Sequence, residues 1–300
     1  MNSDFNHIPV LSGQTLVGLN VRSGGIYIDA TAGGGGHSKR ILEKLENGRL
    51  FCIDRDPDAV THLKNLFGDD KRVEVIQSNF SEIGNLNIAA DGILFDFGVS
   101  SFQLDTPARG FSFKTDAPLD MRMEKSGTSA ADIVNGYSEE QLSKILYIYG
   151  EERFSRQIAK NIVLARPIST TTELSEIIKQ SVPAKYRREK HPAKKTFMAL
   201  RIEVNGELSA IKKAIPAAFS LLTPGGRLAV ITFHSIEDRL VKELFSEYTK
   251  SCACPKDFPV CVCGNYKKAR IIERGIYADE TEIQANRRSR SAKLRVLEKL

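Results

Sequence analysis

Along the first hundred residues the apolar positions switch repeatedly between two periods. Short apolar runs over residues 26–29, 50–53, 73–76 and 92–97 read as buried strands. Between them, Ile41, Leu42 and Leu45 share one helical face, and residues 58–67 form a second helical stretch. Strand, helix, strand, helix in this order predicts βαβ units and a parallel sheet with right-handed crossovers.

After Ser101 the rhythm breaks. The next buried strand is predicted at 227–233, behind the turn Thr223-Pro224-Gly225-Gly226. The gap of about 120 residues is far longer than a crossover helix needs. Within it the pattern is helical. Ser138 and Gln141 form a capping box ahead of Leu142, Ile145, Leu146 and Tyr149. Phe154, Ile158, Ile162 and Ala165 mark a second face, and Leu174, Ile177 and Ile178 a third. A helix over 236–248 and segments at 269–273 and 292–298 then complete the sheet. The expected fold class is α/β: a Rossmann-like open sheet, residues 1–105 and 214–300, with an inserted helical domain at 106–213. An apolar content of 41% in 300 residues fits two such domains.

Composition adds limits. No apolar run approaches the ~18 residues of a membrane span, and the N-terminus lacks a charged and then apolar leader, so a cytoplasmic protein without membrane contact is expected. The balance of 43 basic to 37 acidic residues is only mildly positive. Its distribution says more. From residue 266 onward ten Lys and Arg, among them Arg287, Arg288, Arg290, Lys293 and Arg295, face five acids. A second basic stretch holds Lys185, Arg187, Arg188, Lys190, Lys194 and Lys195. Such clusters suit a phosphate backbone, or a solvated face. Cys52 lies in an apolar run as a small core residue. Cys252, Cys254, Cys261 and Cys263 could close a zinc site, but their C-x-C spacing departs from the usual C-x(2–4)-C. No metal is therefore expected, and disulfides are not expected in a reducing compartment.

The chemistry concentrates at strand ends. Asp29-Ala-Thr-Ala-Gly33-Gly34-Gly35-Gly36-His37 follows a strand and opens a helix, where a doubly wound sheet binds nucleotide-like ligands. Glycines allow positive φ and close approach, and the helix N-terminus offers unpaired amides. The dinucleotide fingerprint G-x-G-x-x-G fails because Ser38 takes its last position, and no Walker lysine follows. Asp54, about 20 residues on, stands where an acid accepts from ribose hydroxyls. Phe80 either packs against an adenine or belongs to the core. His37 contacts the ligand through its ring or, more simply, its backbone amide.

Asp96 ends the fourth strand at the mouth of the same crevice. It opens Asp-Phe-Gly-Val-Ser-Ser-Phe-Gln-Leu-Asp at 96–105, not the D/N/S-P-P-Y/F loop of amino-methyltransferases. An exocyclic amine on a base ring is a poor nucleophile and needs an acceptor, in-line approach and a dry pocket. Asp96 could be that acceptor, or could hold an amino group of the ligand in the glycine turn. His234, Ser235, Glu237 and Asp238 follow the fifth strand. Adjacent residues on one loop do not make a hydrolytic triad, so a substrate-positioning loop is expected. Phe111 and Phe113, beside Arg109, either stack a splayed base or pack the inserted domain.

Several ordered runs carry a resemblance. They are the Gly33–36 turn with His37, the 96–105 run, Arg109-Gly-Phe-Ser-Phe113, Pro118-Leu-Asp-Met-Arg-Met123 and Tyr149-Gly-Glu-Glu-Arg-Phe154. They continue with His191-Pro-Ala-Lys-Lys-Thr-Phe197, Phe233-His-Ser-Ile-Glu-Asp-Arg239 and Arg288-Ser-Arg-Ser-Ala-Lys293. Together they resemble the bacterial ribosomal RNA small-subunit methyltransferase H family over nearly the whole chain. The resemblance implies transfer of a methyl group from S-adenosyl-L-methionine to the N4 amine of a cytidine in the decoding region of 16S rRNA. It implies cofactor contacts at Gly34, Gly35, Gly36, His37, Asp54, Phe80, Asp96 and Gln103, with Asp96 also the catalytic candidate. Arg109, Phe111, Phe113, His234, Ser235, Arg288 and Arg290 are the substrate-side candidates. One departure is Met198, where the family more often has glutamine. A non-catalytic rRNA-binding assembly factor that uses the cofactor only as a ligand is the alternative class. DNA methylation and hydride transfer are disfavoured by the missing motifs.

Overall fold

The structure, a computed structural model, describes residues 9–189, 191–251 and 266–300. In chain order it begins with α1 (Ser12–Leu19), β1 (Ile26–Asp29), α2 (Gly36–Leu42), β2 (Arg49–Asp54), α3 (Pro57–Phe67), β3 (Val73–Gln77) and β4 (Ala90–Asp96). There follow α4 (Ser101–Asp105), α5 (Ala130–Gly136), α6 (Glu139–Gly150), α7 (Ser155–Leu164), α8 (Thr171–Gln180), α9 (Ala184–Glu189), α10 (Ala193–Asn205) and α11 (Glu207–Leu221). The chain ends with β5 (Leu222–Thr232), α12 (Ser235–Thr249), β6 (Ala269–Tyr277), α13 (Glu280–Ala285) and β7 (Lys293–Lys299). Among the described residues no helix is long and apolar enough to cross a membrane.

The chain divides into two compact units. The first holds the residues up to Gly98 and those from Leu208 on; the second is Val99–Glu207. These boundaries lie earlier in the chain than the expected 105/106 and 213/214. Gly98, at φ 109°, turns the chain immediately after β4, and α11 packs on the sheet almost from its first turn.

In the first unit the strands run in the order β3-β2-β1-β4-β5-β7-β6. From β3 to β5 all neighbours are parallel, while β7 is antiparallel to both β5 and β6. Chain order reverses between β1 and β4, which opens a crevice at the carboxyl ends of those strands. Alternation then divides the core. Ile93 and Phe95 face one layer, with Ile211, Ile215 and Phe219 of α11 and Phe245 of α12. Leu94 faces the other, with Leu19 of α1, Ile41 of α2 and Leu63 of α3. The start of α3 is locally encoded: the Asp56 side chain accepts from the Asp58 amide, and Pro57 fills the first helical position. β5 begins five residues before the expected 227. Leu222 already pairs with Ala90, and the Thr223–Gly226 segment bulges out through Gly225 at φ 79° before Arg227 rejoins opposite Gly92.

The second unit has its own apolar core, drawn from Phe111, Leu119, Met121, Leu142, Leu146, Ile158, Ile162, Leu174, Ile178 and Leu200. The Ser138–Gln141 capping box forms as the pattern indicates, and further boxes stand at Ser129–Asp132 and Thr170–Glu173. Buried Asn205 at the end of α10 holds an irregular loop. Its Oδ1 accepts from the Met123 amide at 2.9 Å, and its Nδ2 donates to the Met121 carbonyl at 2.8 Å. Met121 sits at φ 61°, a conformation that the loop keeps through these bonds. Asn205→Leu leaves two buried backbone groups without partners, and urea unfolding should show a loss of about 2–4 kcal/mol. A loss below about 0.5 kcal/mol would mean that the loop finds other partners.

Candidate active site

The turn between β1 and α2 is tied to three strand ends. Gly33 donates its amide to Asp54 Oδ2 at 2.7 Å, at the end of β2. Ser38, in the first turn of α2, donates its hydroxyl to Asp29 Oδ2 at 2.6 Å, at the end of β1. The Asp96 amide, at the end of β4, donates to Thr31 Oγ1 at 2.6 Å. Gly33 and Gly35 take positive φ of 51° and 78°, which L side chains rarely adopt. At Gly35 a Cβ would stand 2.8 Å from Leu66 and 3.1 Å from Leu63. This glycine is therefore needed for the approach of α3, a different reason from the ligand clearance expected from sequence.

His37 and Asp96 face each other across the mouth, with His37 Nε2 3.6 Å from Asp96 Oδ2. The His37 ring is buried and its other nitrogen is bonded to the Val10 carbonyl. Burial pushes its pKa down to about 4 against that bond, so the ring is neutral at pH 7. His37 Nε2 and Asp96 Oδ1 are both buried without a hydrogen-bond partner. Two unpaired polar atoms at a strand-end crevice are groups that a polar ligand can satisfy.

The charge is equally one-sided. Burial lifts Asp29 to about 6, against the hydrogen bonds from Ser38 and Thr31. Burial likewise lifts Asp54 to about 6, against the Asp56 and Gly33 amides. Asp96 is raised well above the carboxylate range, first by burial and then by the charges of Asp29 and Glu237. No Lys or Arg pairs with Asp96 among the described residues. Asp29, which sequence reasoning names only as the start of the glycine motif, and Glu237, expected only in a substrate-positioning loop, both bear on the Asp96 carboxylate; the signal for Asp29 is an acid closing an apolar strand.

The remaining candidates are distributed as follows. Phe80 begins the short turn Phe80–Leu86 and packs edge-on against Phe95, with Phe97 at 5.4 Å. His234 caps α12: its Nδ1 accepts from the Glu237 amide at 3.4 Å, while Glu237 Oε2 accepts the Phe233 and His234 amides. Ser235 is the first residue of that helix, so neither residue is a nucleophile–base pair. Arg288 lies half-buried and Arg290 exposed in the turn Arg287–Ser291. In the helical unit, the Gln103 side chain closes a capping box with Ser100. Arg109 is buried and clasps the Arg122 and Met123 carbonyls at 3.0 and 2.8 Å. Phe111 is core, and Phe113 stacks on His191. Arg109 and Phe111 therefore serve the packing of that unit. Cys252, Cys254, Cys261, Cys263 and Lys190 lie outside the described residues.

The sheet order with its reversed final strand, and the strand-end crevice, define a Rossmann-like class I methyltransferase fold. The chain belongs to the MraW methylase family, whose profile matches residues 4–300. It is 51% identical to Ribosomal RNA small subunit methyltransferase H of Carboxydothermus hydrogenoformans, over 99% of each chain. Its identity to the protein of the same name from Brevibacillus brevis is 50%, over 99% of this chain and 98% of that one. Among solved structures, an rRNA methylase from Streptococcus thermophilus aligns with a TM-score of 0.43 at 12% identity, covering 97% of this chain and 95% of that chain.

Raised carboxylates oppose folding at neutral pH. Their contribution is harmless below the ordinary value of 3.8, and stability is lost as pH rises from there through about 6, where Asp29 and Asp54 ionise; the raised Asp96 acts in the same direction. Asp96→Asn removes one such charge. It should raise the melting temperature of the ligand-free protein at pH 8, by roughly 2–4 °C per kcal/mol relieved, and leave it unchanged at pH 4. An equal gain at both pH values would show that the effect is not electrostatic.

Proposed function

We propose that this protein transfers a methyl group from S-adenosyl-L-methionine to the exocyclic N4 amine of a cytidine in the decoding region of 16S rRNA, within the small ribosomal subunit and in the cytoplasm. The observation that carries the reading is the buried pair of His37 Nε2 and Asp96 Oδ1, each without a hydrogen-bond partner, beside a glycine turn; among the described residues no Lys or Arg pairs with Asp96. Such a pocket is short of positive charge and of N–H donors. A ligand with a sulfonium and an ammonium group brings both.

The residues divide the work by position. Gly34 and Gly36 would hold the cofactor carboxylate with their amides and the positive end of the α2 dipole, while Gly35, whose amide donates to the Ala32 carbonyl at 2.7 Å, shapes the turn between them. Asp54, with each oxygen already accepting one amide, keeps acceptor capacity for ribose hydroxyls. Phe80 and the rings behind it give an apolar wall for the adenine. When bound, the cofactor supplies an electrophilic methyl on a cationic sulfur. Asp96 Oδ1 accepts an N–H that arrives with the ligands, either the cofactor ammonium or the N4 amine, and so orients the transfer. As the amine nitrogen bonds the methyl carbon and the sulfur–methyl bond breaks to leave a neutral thioether, one proton would leave the nitrogen, and His37 Nε2 and Asp96 would be able to hold it. The basic residues around Arg288 and Arg290, and those of the helical unit, bind rRNA phosphates.

Small subunits purified from cells lacking the protein, incubated with it and with methyl-labelled cofactor, should yield label in N4-methylcytidine of 16S rRNA. Asp96→Ala should lower the rate by about a hundredfold or more. Cofactor binding with no label transferred would favour a non-catalytic assembly factor; label in another nucleoside would move the target.

A further inference from the structure

The helical unit carries an exposed ring with one face packed and the other open. His191, just ahead of α10, lies flat on Phe113 with ring centroids 4.3 Å apart and an interplanar angle of 21°. Phe113 in turn meets buried Phe197 edge-on at 5.5 Å. The inner face of the imidazole is thus covered, while the residue as a whole is solvent-exposed. The ring is also held in orientation, since its Nδ1 accepts from the Ala193 amide at 3.3 Å. Its electrostatic neighbours are cations. Burial against Phe113, together with Lys179 and Lys114, holds its pKa below the ordinary value, so the ring is neutral and flat at pH 7. Lys179 pairs with Glu176 at 3.1 Å, and Arg187 acts on the same glutamate. Lys114 and Lys179 thus act on His191, and Lys179 and Arg187 share Glu176, which groups the three cations around the ring.

We propose that the outer face of His191 is a stacking platform for an unpaired nucleobase of rRNA, with Lys114, Lys179 and Arg187 receiving the adjoining phosphates. A preoriented aromatic face among cations is the arrangement by which proteins hold single-stranded nucleic acid, because every base has a π face and every nucleotide a charge. The proposal replaces Phe113 as the stacking residue: one face of Phe113 is taken by His191 and its edge by Phe197. Phe113 supports the platform. The platform rests on the rRNA substrate proposed above and assigns a grip on the RNA to the helical unit itself, independent of the cofactor crevice.

The test is binding of a fluorescent 16S rRNA fragment spanning the decoding region, measured alongside cofactor affinity and methylation of small subunits. His191→Ala should weaken RNA binding by about tenfold and raise KM for subunits, with cofactor affinity and melting temperature unchanged. His191→Phe, which keeps the stacking face, should restore binding. Lys114→Glu should weaken binding and reduce its salt dependence. If wild-type protein methylates subunits and His191→Ala binds RNA equally well, or if His191→Phe fails to rescue, the platform is wrong and the methyltransferase reading stands. If wild-type protein neither binds nor methylates RNA, both fall together.

Discussion

Three hydrogen bonds decide the geometry of the crevice: Gly33 amide to Asp54, Ser38 hydroxyl to Asp29, and Asp96 amide to Thr31. Each joins the β1–α2 turn to the carboxyl end of a different strand, and those strands are hydrogen-bonded neighbours in the sheet. The turn therefore inherits its shape from the register of β2, β1 and β4, in which Asp29 stands opposite both Cys52 and Leu94. A slip of one residue in any of these strands would send its terminal carboxylate to the opposite face of the sheet and release the turn. The apolar layers on both faces oppose such a slip, because it would also expose Ile93 and Phe95 or Leu94. Core packing and site geometry are in this sense the same constraint.

The arrangement has an electrostatic consequence. Strand ends that hold a glycine turn with carboxylates gather those carboxylates in one place, and burial makes them hard to ionise together. Asp29, Asp54 and Asp96 are all raised for that reason, and His37 is driven to its neutral form. A protein selected for stability alone would place a lysine here, or a neutral side chain. The charge deficit is better understood as half of a complex, with the other half a cationic ligand whose binding relieves it. The neutral imidazole fits the same logic: with one nitrogen committed to the Val10 carbonyl, the other points its lone pair into the crevice as an acceptor.

Much of the first unit was legible in the chain because its signals are local. β1 to β4 are short apolar runs, the glycine cluster follows one of them directly, and Asp54 and Asp96 close two others. The capping boxes of the helical unit are likewise written within four residues. What escaped depends on contacts distant in sequence. α10 opens behind Pro192 and carries paired lysines at its start, and α11 contains Pro216, so neither reads as a helix until its buried face is matched with a partner. Arg109, Phe111 and Phe113 were read as a group because they are adjacent. The fold separates them: a buried guanidinium capping carbonyls, a core ring, and a ring covered by a histidine almost eighty residues away (191 minus 113). Sequence gives the proximity of such side chains along the chain but not the direction in which each one points.

The residues just ahead of α1 carry this one step further. Leu11 takes φ 52°, unfavourable for a residue with a Cβ, yet it is fully buried and its amide donates to Glu282 Oε1 at 2.6 Å. On one side of it, the Val10 carbonyl holds the His37 ring, and Pro9 packs so close to Gly36 that a Cβ there would stand 3.2 Å away. Glu282 belongs to α13, which leads directly into the turn bearing Arg287, Arg288 and Arg290. Residues 9–11 thus form a short strap that links the glycine turn to the basic tail through one carboxylate and one carbonyl. The strain at Leu11 is sustained because both neighbours are fixed, and the tautomer of His37 is sustained because Leu11 keeps the Val10 carbonyl in place. The acceptor in the crevice and the cations beside the last strand are consequently held in a single frame, although some 250 residues of sequence separate them (287 minus 37).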